Sequence, residues 1–102
     1  MFAKMIGSSG VELTLDEHPA RDNVHGTLVP MFPQQKMIRI NGMHAGYLSL
    51  ISGGVSMCRR YPDAVLDDVK RFAAQQLMIF GKDGMDVVVS QPPERVDLDT
   101  GD

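Results

Sequence analysis

Histidines and acidic side chains lie close together early in the chain, and such a cluster could hold a divalent metal ion. The five residues concerned are Asp16, Glu17, His18, Asp22 and His25. Their spacing matches no established ligand motif, and histidines and acids are common on surfaces where nothing binds. We therefore expect solvated polar residues and no metal. A small hydrolase or metal-dependent enzyme around His18, His25 and Cys58 is the alternative left open.

The only cysteine, Cys58, is the second candidate for chemistry. His44 lies on an adjacent predicted strand, and a thiol beside an imidazole could work as nucleophile and base. The sequence offers no third group to orient the histidine and no oxyanion loop. Because cysteine is often buried as a small hydrophobic residue, we expect Cys58 to be buried and inert. No catalytic residue and no cofactor are predicted.

Two turns rich in glycine and serine could in principle cradle a phosphate, and they are Gly7-Ser8-Ser9-Gly10 and Ser52-Gly53-Gly54. Neither turn directly precedes a helix, and neither carries the lysine of a phosphate-binding loop. We therefore interpret both as hairpin turns.

Basic side chains on neighbouring predicted strands could form a surface that grips a nucleic-acid backbone. The residues concerned are Lys36, Arg39, Arg59 and Arg60. Only Tyr47 and Tyr61 are available near them for base stacking. The net charge of −3 argues against indiscriminate phosphate binding. A nucleic-acid-binding module is therefore an alternative function, less favoured than protein binding.

Methionine is abundant, with eight in 102 residues, and it is over-used where a surface must adapt to a partner. The residues that we expect on a protein-binding surface are Met43, Tyr47, Met57 and Met78. Filling gaps in a core short of aromatic residues is an equally good explanation, but it does not account for Met78-Ile79 on the helix flank. A homodimer through a sheet edge is a second possible assembly.

The elements that position these residues begin with a predicted hairpin, whose strands are 2–6 and 11–15. Between residues 16 and 35, prolines interrupt any hydrophobic period. This indicates an irregular connection with room for a short strand at 27–31. Residues 36–60 predict a three-stranded meander that turns first at Asn41-Gly42. A three-residue loop there, or a bulge near Gly46, is needed to place four apolar residues on one face: Ile38, Ile40, Leu48 and Leu50.

An amphipathic helix is predicted over 62–80, with Pro62 in its first turn and Gly81 as its C-terminal cap. Its apolar stripe comprises Val65, Leu66, Val69, Phe72, Ala73, Leu77 and Phe80, and its polar side comprises Asp67, Asp68, Lys70, Arg71 and Gln75. Residues 85–90 predict a last strand, and their continuous apolar run favours a central position in the sheet or burial on both sides.

Composition indicates an ordinary globular domain, with 43% hydrophobic and 23% charged residues. We expect one domain at 1–90 and a flexible acidic tail at 91–102. The chain has neither a run long enough to span a bilayer nor a signal-peptide core. One cysteine and eight methionines favour a reducing compartment, so a cytoplasmic location is expected.

Together these patterns predict the α+β class, as a small antiparallel sheet with one amphipathic helix packed on one face. The sheet would combine the meander, the N-terminal hairpin and a C-terminal strand. With no catalytic constellation or cofactor fingerprint, the favoured function is a non-enzymatic binding protein that acts by protein-protein contact. Inhibitors and adaptors encoded by phages or other mobile elements are the analogy for such a small chain.

Overall fold

A computed structural model of the protein describes residues 3–17, 19–21, 28–30, 34–82 and 84–93. Within these ranges the chain forms one helix and eight strands. In chain order they are β1 (Ala3–Ile6), β2 (Glu12–Glu17), β3 (Pro19–Arg21), β4 (Leu28–Pro30), β5 (Gln35–Ile40), β6 (Met43–Ser49), β7 (Gly54–Met57), α1 (Asp63–Ile79) and β8 (Val88–Ser90).

Six of the strands form one mixed sheet in the order β1-β2-β5-β6-β7-β8, and β3 and β4 pair as a separate two-stranded sheet. All neighbours in the large sheet are antiparallel except β7 and β8, which are parallel. Parallel neighbours need a long crossover connection, and α1 supplies it. The predicted α+β class is confirmed. The finer prediction, an antiparallel sheet that combines a three-stranded meander with the hairpin and a last strand, is matched only in part, because the six-stranded sheet is mixed and its last strand is parallel to its neighbour.

The predicted N-terminal hairpin is confirmed, since β1 pairs with β2 across the turn from Gly7 to Gly10. The irregular connection predicted from 16 to 35 is wrong in part. Asp16 and Glu17 continue β2, because the ladder with β5 extends as far as the pair Glu17 and Lys36. The short strand predicted at 27–31 matches β4. The remaining predictions on 18, 22–27 and 31–33 lie outside the described residues.

The predicted irregularity between β5 and β6 is confirmed as a bulge. Asn41 and Gly42 form a two-residue turn with φ of 52° and 82°, the left-handed geometry that tight hairpins favour. The register then shifts at one point, because Ile38 pairs with Gly46 while Arg39 pairs with His44. Residue 45 is therefore the extra one. The shift lets four apolar side chains join the same core, as predicted: Ile38, Ile40, Leu48 and Leu50.

The helix packs its apolar stripe on one face of the sheet, as predicted. The buried members of the stripe are Val65, Val69, Phe72, Ala73 and Leu77. At the end of α1 the N–H of Lys82 donates to the carbonyl of Leu77 at 2.7 Å, and the N–H of Gly81 donates to that of Met78 at 3.0 Å. This is the Schellman pattern of a glycine cap. The polar side was predicted wrongly at Asp68, which is fully buried.

Among the described strands β8 lies at the edge of the sheet, so the prediction of a central or doubly buried strand is wrong. Only Val88–Ser90 pairs with β7, and the Val88 side chain is 65% exposed. Val87, just before the strand, faces the core and is buried. The predicted tail from 91 begins with residues that contact the domain, because Gln91 Oε1 accepts a hydrogen bond from the N–H of Tyr61 at 3.2 Å. Residues 94–102 lie outside the described part of the chain.

Candidate functional site

An open groove of about 570 Å³ lies between α1 and the edge strand β8. Its lining residues, which define the β8 groove, are Asp63, Leu66, Asp67, Lys70, Val87, Val88 and Val89. The apolar lining is partly withdrawn from solvent, since Leu66 and Val89 are half-buried and Val87 is buried. The charged lining residues are exposed. The groove therefore combines an apolar floor with a charged rim.

The chain order produces this groove. Because α1 connects β7 to the parallel strand β8, one flank of the helix lies beside the last strand of the sheet. Leu66 and Lys70 are one helical turn apart and share that flank. Within the described residues β8 pairs with β7 alone. Its other side presents the row of N–H and C=O groups that an edge strand leaves unpaired.

The rim of the groove carries two acids and one base. Asp63 and Asp67 are four positions apart on α1, where their charges repel, and Lys70 follows on the next turn. Within the described ranges neither acid forms an ion pair. The rim is therefore acidic towards the start of the helix and basic further along it.

On the opposite flank of α1 the carboxylate of Asp68 is completely withdrawn from solvent. It accepts hydrogen bonds from the backbone N–H groups of Ser8 at 3.0 Å and Ser9 at 2.9 Å. The Ser9 hydroxyl and the Arg71 guanidinium also donate to it. The hydroxyl of Ser9 is the main cause that lowers the pKa of Asp68, followed by the Ser9 N–H, while burial opposes them and the Ser8 N–H and Arg71 add to the lowering. Asp68 thus ties the N-terminal hairpin to the helix.

Asp68 was predicted to lie on the polar side of α1 because it is acidic, although its position in the helix favours burial. It lies three residues after Val65 and four before Phe72, which places it inside the apolar stripe on a helical projection. A buried acid needs several donors. The turn from Gly7 to Gly10 could have indicated this burial, because its backbone N–H groups can donate the hydrogen bonds that a buried acid needs.

Comparisons with protein families, curated proteins and solved structures found no match. No helix among the described residues combines the length and apolar character that crossing a bilayer requires.

The structure brings together the thiol and imidazole singled out in the sequence. Cys58 Sγ lies 3.8 Å from His44 Nε2, and the His44 ring lies 4.8 Å from that of Tyr47 at 57°. Cys58 is exposed, so the expectation of a buried thiol is wrong. Strand alternation explains this, because Met57 at the end of β7 points into the core and the next side chain points away. In the described chain no group of three potential metal ligands is present, and His18 and His25 lie outside it.

The four basic residues are not gathered on one sheet face. Lys36 and Arg39 are three positions apart on β5, so they point to opposite faces. Lys36 is buried, with its Nζ 2.8 Å from Glu17 Oε1 and 5.7 Å from the centre of the Phe80 ring. Arg39 lies 3.2 Å from Asp16 Oδ2. The other two, Arg59 and Arg60, follow β7 and are exposed.

The four residues expected to meet a protein partner are also dispersed. Met43 is 60% exposed beside the first turn of the meander, and Met78 is 65% exposed on the last turn of α1. Met57 is 5% exposed and belongs to the core, so it cannot present a surface. Tyr47 is half-buried against His44. The β8 groove was not predicted from the sequence, because the strand that borders it was expected in the middle of the sheet.

Proposed function

We propose that this protein is a non-enzymatic binding protein that captures an extended segment of another protein as an added strand on β8. The observation that carries the proposal is the β8 groove, an apolar depression that runs beside a strand edge with no partner among the described residues. In strand addition, main-chain hydrogen bonds supply affinity, and pockets for alternate side chains supply specificity. By holding a segment of its partner in this way, the protein would act as an inhibitor or an adaptor.

An added strand would lie about 4.8 Å beyond β8. Every second side chain of that strand would point towards α1, where Leu66 and Val89 provide half-buried apolar surface. The intervening side chains would point to the other face of the sheet. The bound segment is therefore expected to have apolar residues at alternate positions.

The length of β8 limits the affinity. Three residues offer only a few main-chain hydrogen bonds, so burial of side chains in the groove must contribute the rest. We expect reversible binding, with a Kd on the order of micromolar.

A displayed library of short random segments tests the proposal. Segments selected on the wild-type protein should lose binding to Leu66→Arg, which places a charge on the groove floor. They should keep binding to Met78→Arg, the matched control, because Met78 is exposed on the same helix and does not line the groove. Equal binding to both variants would count against the groove.

Backbone methylation of a selected segment then tests strand addition itself. Methylating one amide nitrogen at a time removes one N–H donor without changing a side chain. Because the N–H groups of a strand point alternately to its two sides, loss of binding should recur at every second residue. Uniform loss, or none, would contradict strand addition.

The described residues give the alternative functions less support than the β8 groove gives to protein binding. The residues of the nucleic-acid hypothesis include Lys36, which is buried and paired with Glu17. Of the residues of the enzyme hypothesis, His18 and His25 lie outside the described ranges. Protein binding is therefore the function that we put forward.

A further inference from the structure

The charges on the groove rim restrict which segments fit it. Asp63 and Asp67 lie one turn apart on the same flank of α1, and both line the groove. Their mutual repulsion is not relieved by an ion pair within the described chain. A cation placed between them would attract both carboxylates and remove that repulsion.

The rim also has a direction. Leu77, late in α1, lies against the turn before β7, with its Cδ1 3.5 Å from the place where a Cβ on Gly53 would be. The helix therefore runs antiparallel to β7, and hence to β8. Asp63 lies towards the Ser90 end of β8, and Lys70 towards the Val87 end. A bound segment that places a cation at the Ser90 end brings it near Asp63 and Asp67. A segment that places its cation at the Val87 end brings it near Lys70, which repels it.

We infer that the segment captured at β8 carries a lysine or arginine among its alternating apolar residues, and that this cation lies between Asp63 and Asp67. The inference rests on the proposed function and names the chemistry of its partner. Electrostatic complementarity of this kind selects partners and speeds encounter more than it adds affinity.

Two other occupants compete for the rim. Residues 94–102 of the same chain carry four acids and one arginine, so they would bring further negative charge to an acidic rim. A second copy joined by a twofold axis would present the same surface on both sides. The two β8 strands would then pair antiparallel, which brings the acids of one copy towards Lys70 of the other, and light scattering tests for this dimer.

Two labelled peptides of equal length test the inference: both have valine at alternate positions, except that one of these positions is lysine in the first peptide and glutamate in the second. At low salt the lysine peptide should bind about fivefold more tightly, the effect of two exposed ion pairs. The ratio should fall to about twofold in Asp67→Asn, which leaves Asp63 as the one remaining acid. It should persist in Glu12→Gln, a matched change of charge on β2, where Glu12 pairs with the exposed Lys4.

The outcomes separate the inference from the proposed function. Equal binding of both peptides, with loss on methylation at every second amide, would overturn the inference and keep strand addition. Absence of binding by both peptides, together with no segment selected from the displayed library, would overturn both. Removal of residues 94–102 that raises the affinity of both peptides to the same value would identify the tail as the occupant. A dimer in light scattering that Leu66→Arg dissociates would identify a second copy, and either result would overturn the inference.

Discussion

Ser9 donates two hydrogen bonds to Asp68, one from its backbone N–H at 2.9 Å and one from its hydroxyl, across 59 positions of sequence. The turn of the first hairpin thereby closes over a carboxylate on the helix. Because this contact and the β8 groove lie on opposite flanks of α1, the first holds the helix in place and the second is left open. The stability of the contact is therefore the first property to test.

Stability should fall at acid pH in a way that depends on Asp68. The hydrogen bonds from Ser9 lower the pKa of this carboxyl below its ordinary value of 3.8. A lowered pKa in the folded state stabilises the protein above the unfolded value and loses that effect as the pH falls towards the folded value. The free energy of unfolding, measured in urea from about pH 7 to pH 3, should decline mainly below about pH 4.

Asp68→Asn should be less stable at neutral pH, because its amide NH₂ would face donors where a carboxylate oxygen stood. It should also show a shallower acid decline than the wild-type protein. Asp67→Asn is the control, since the neighbouring carboxylate is exposed. If Asp67→Asn flattened the decline as much as Asp68→Asn, the attribution would be wrong.

Gly7→Ala should destabilise the protein by about 1–3 kcal/mol, the usual range for overpacking. A Cβ on Gly7 would lie 2.2 Å from Asp68 Oδ2 and 2.8 Å from Asp68 Cβ. Gly54→Ala is the matched control, because its nearest contact would be the Ser52 Oγ at 3.2 Å. Urea midpoints measure both. In a double-mutant cycle the effect of Gly7→Ala should shrink when Asp68 is already alanine, and simple additivity would contradict the contact.

Local patterns in the sequence predicted the elements that local forces determine. The helix followed from a stripe of period 3.6 and a glycine cap, and the bulge followed from the parity of Ile38 and Leu48 about a two-residue turn. Each signal lies within about 20 residues of chain. None of them requires knowledge of a distant partner.

The predictions that failed concern contacts between segments that are distant in sequence. Nothing near Asp68 in sequence shows that Ser8 and Ser9 will supply its donors. Nothing near Val88 shows that its strand will lie parallel to β7 at the edge. The β8 groove depends on that second placement, so the sequence predicted a binding protein without its candidate surface.

Single-stranded DNA should bind weakly and with little salt dependence. Lys36 and Arg39 face opposite sides of the sheet, and each is paired with an acid. A face with six to ten phosphate contacts loses about a thousandfold or more in affinity between about 50 and 200 mM salt. We expect a loss below about tenfold, measured by fluorescence anisotropy. A steeper loss would restore the nucleic-acid hypothesis.

Cys58 should react fully with a thiol reagent in the folded protein, because its side chain is exposed. Intact mass after treatment with iodoacetamide, with and without urea, measures the extent and rate. The folded and unfolded rates should agree within about threefold if the thiol is accessible and not activated. A folded rate about tenfold higher, abolished in His44→Gln, would instead support the nucleophile and base pair.

Phe72→Ala should destabilise the protein by about 3–5 kcal/mol. Phe72 is fully buried at the centre of the stripe that α1 packs on the sheet. Met78→Ala, at an exposed position of the same helix, should change stability by less than about 0.5 kcal/mol. Urea unfolding should show a lower midpoint with an unchanged slope for Phe72→Ala. Equal stability of the two variants would mean that the stripe does not hold the helix, and a helix not held there could not form one wall of the β8 groove.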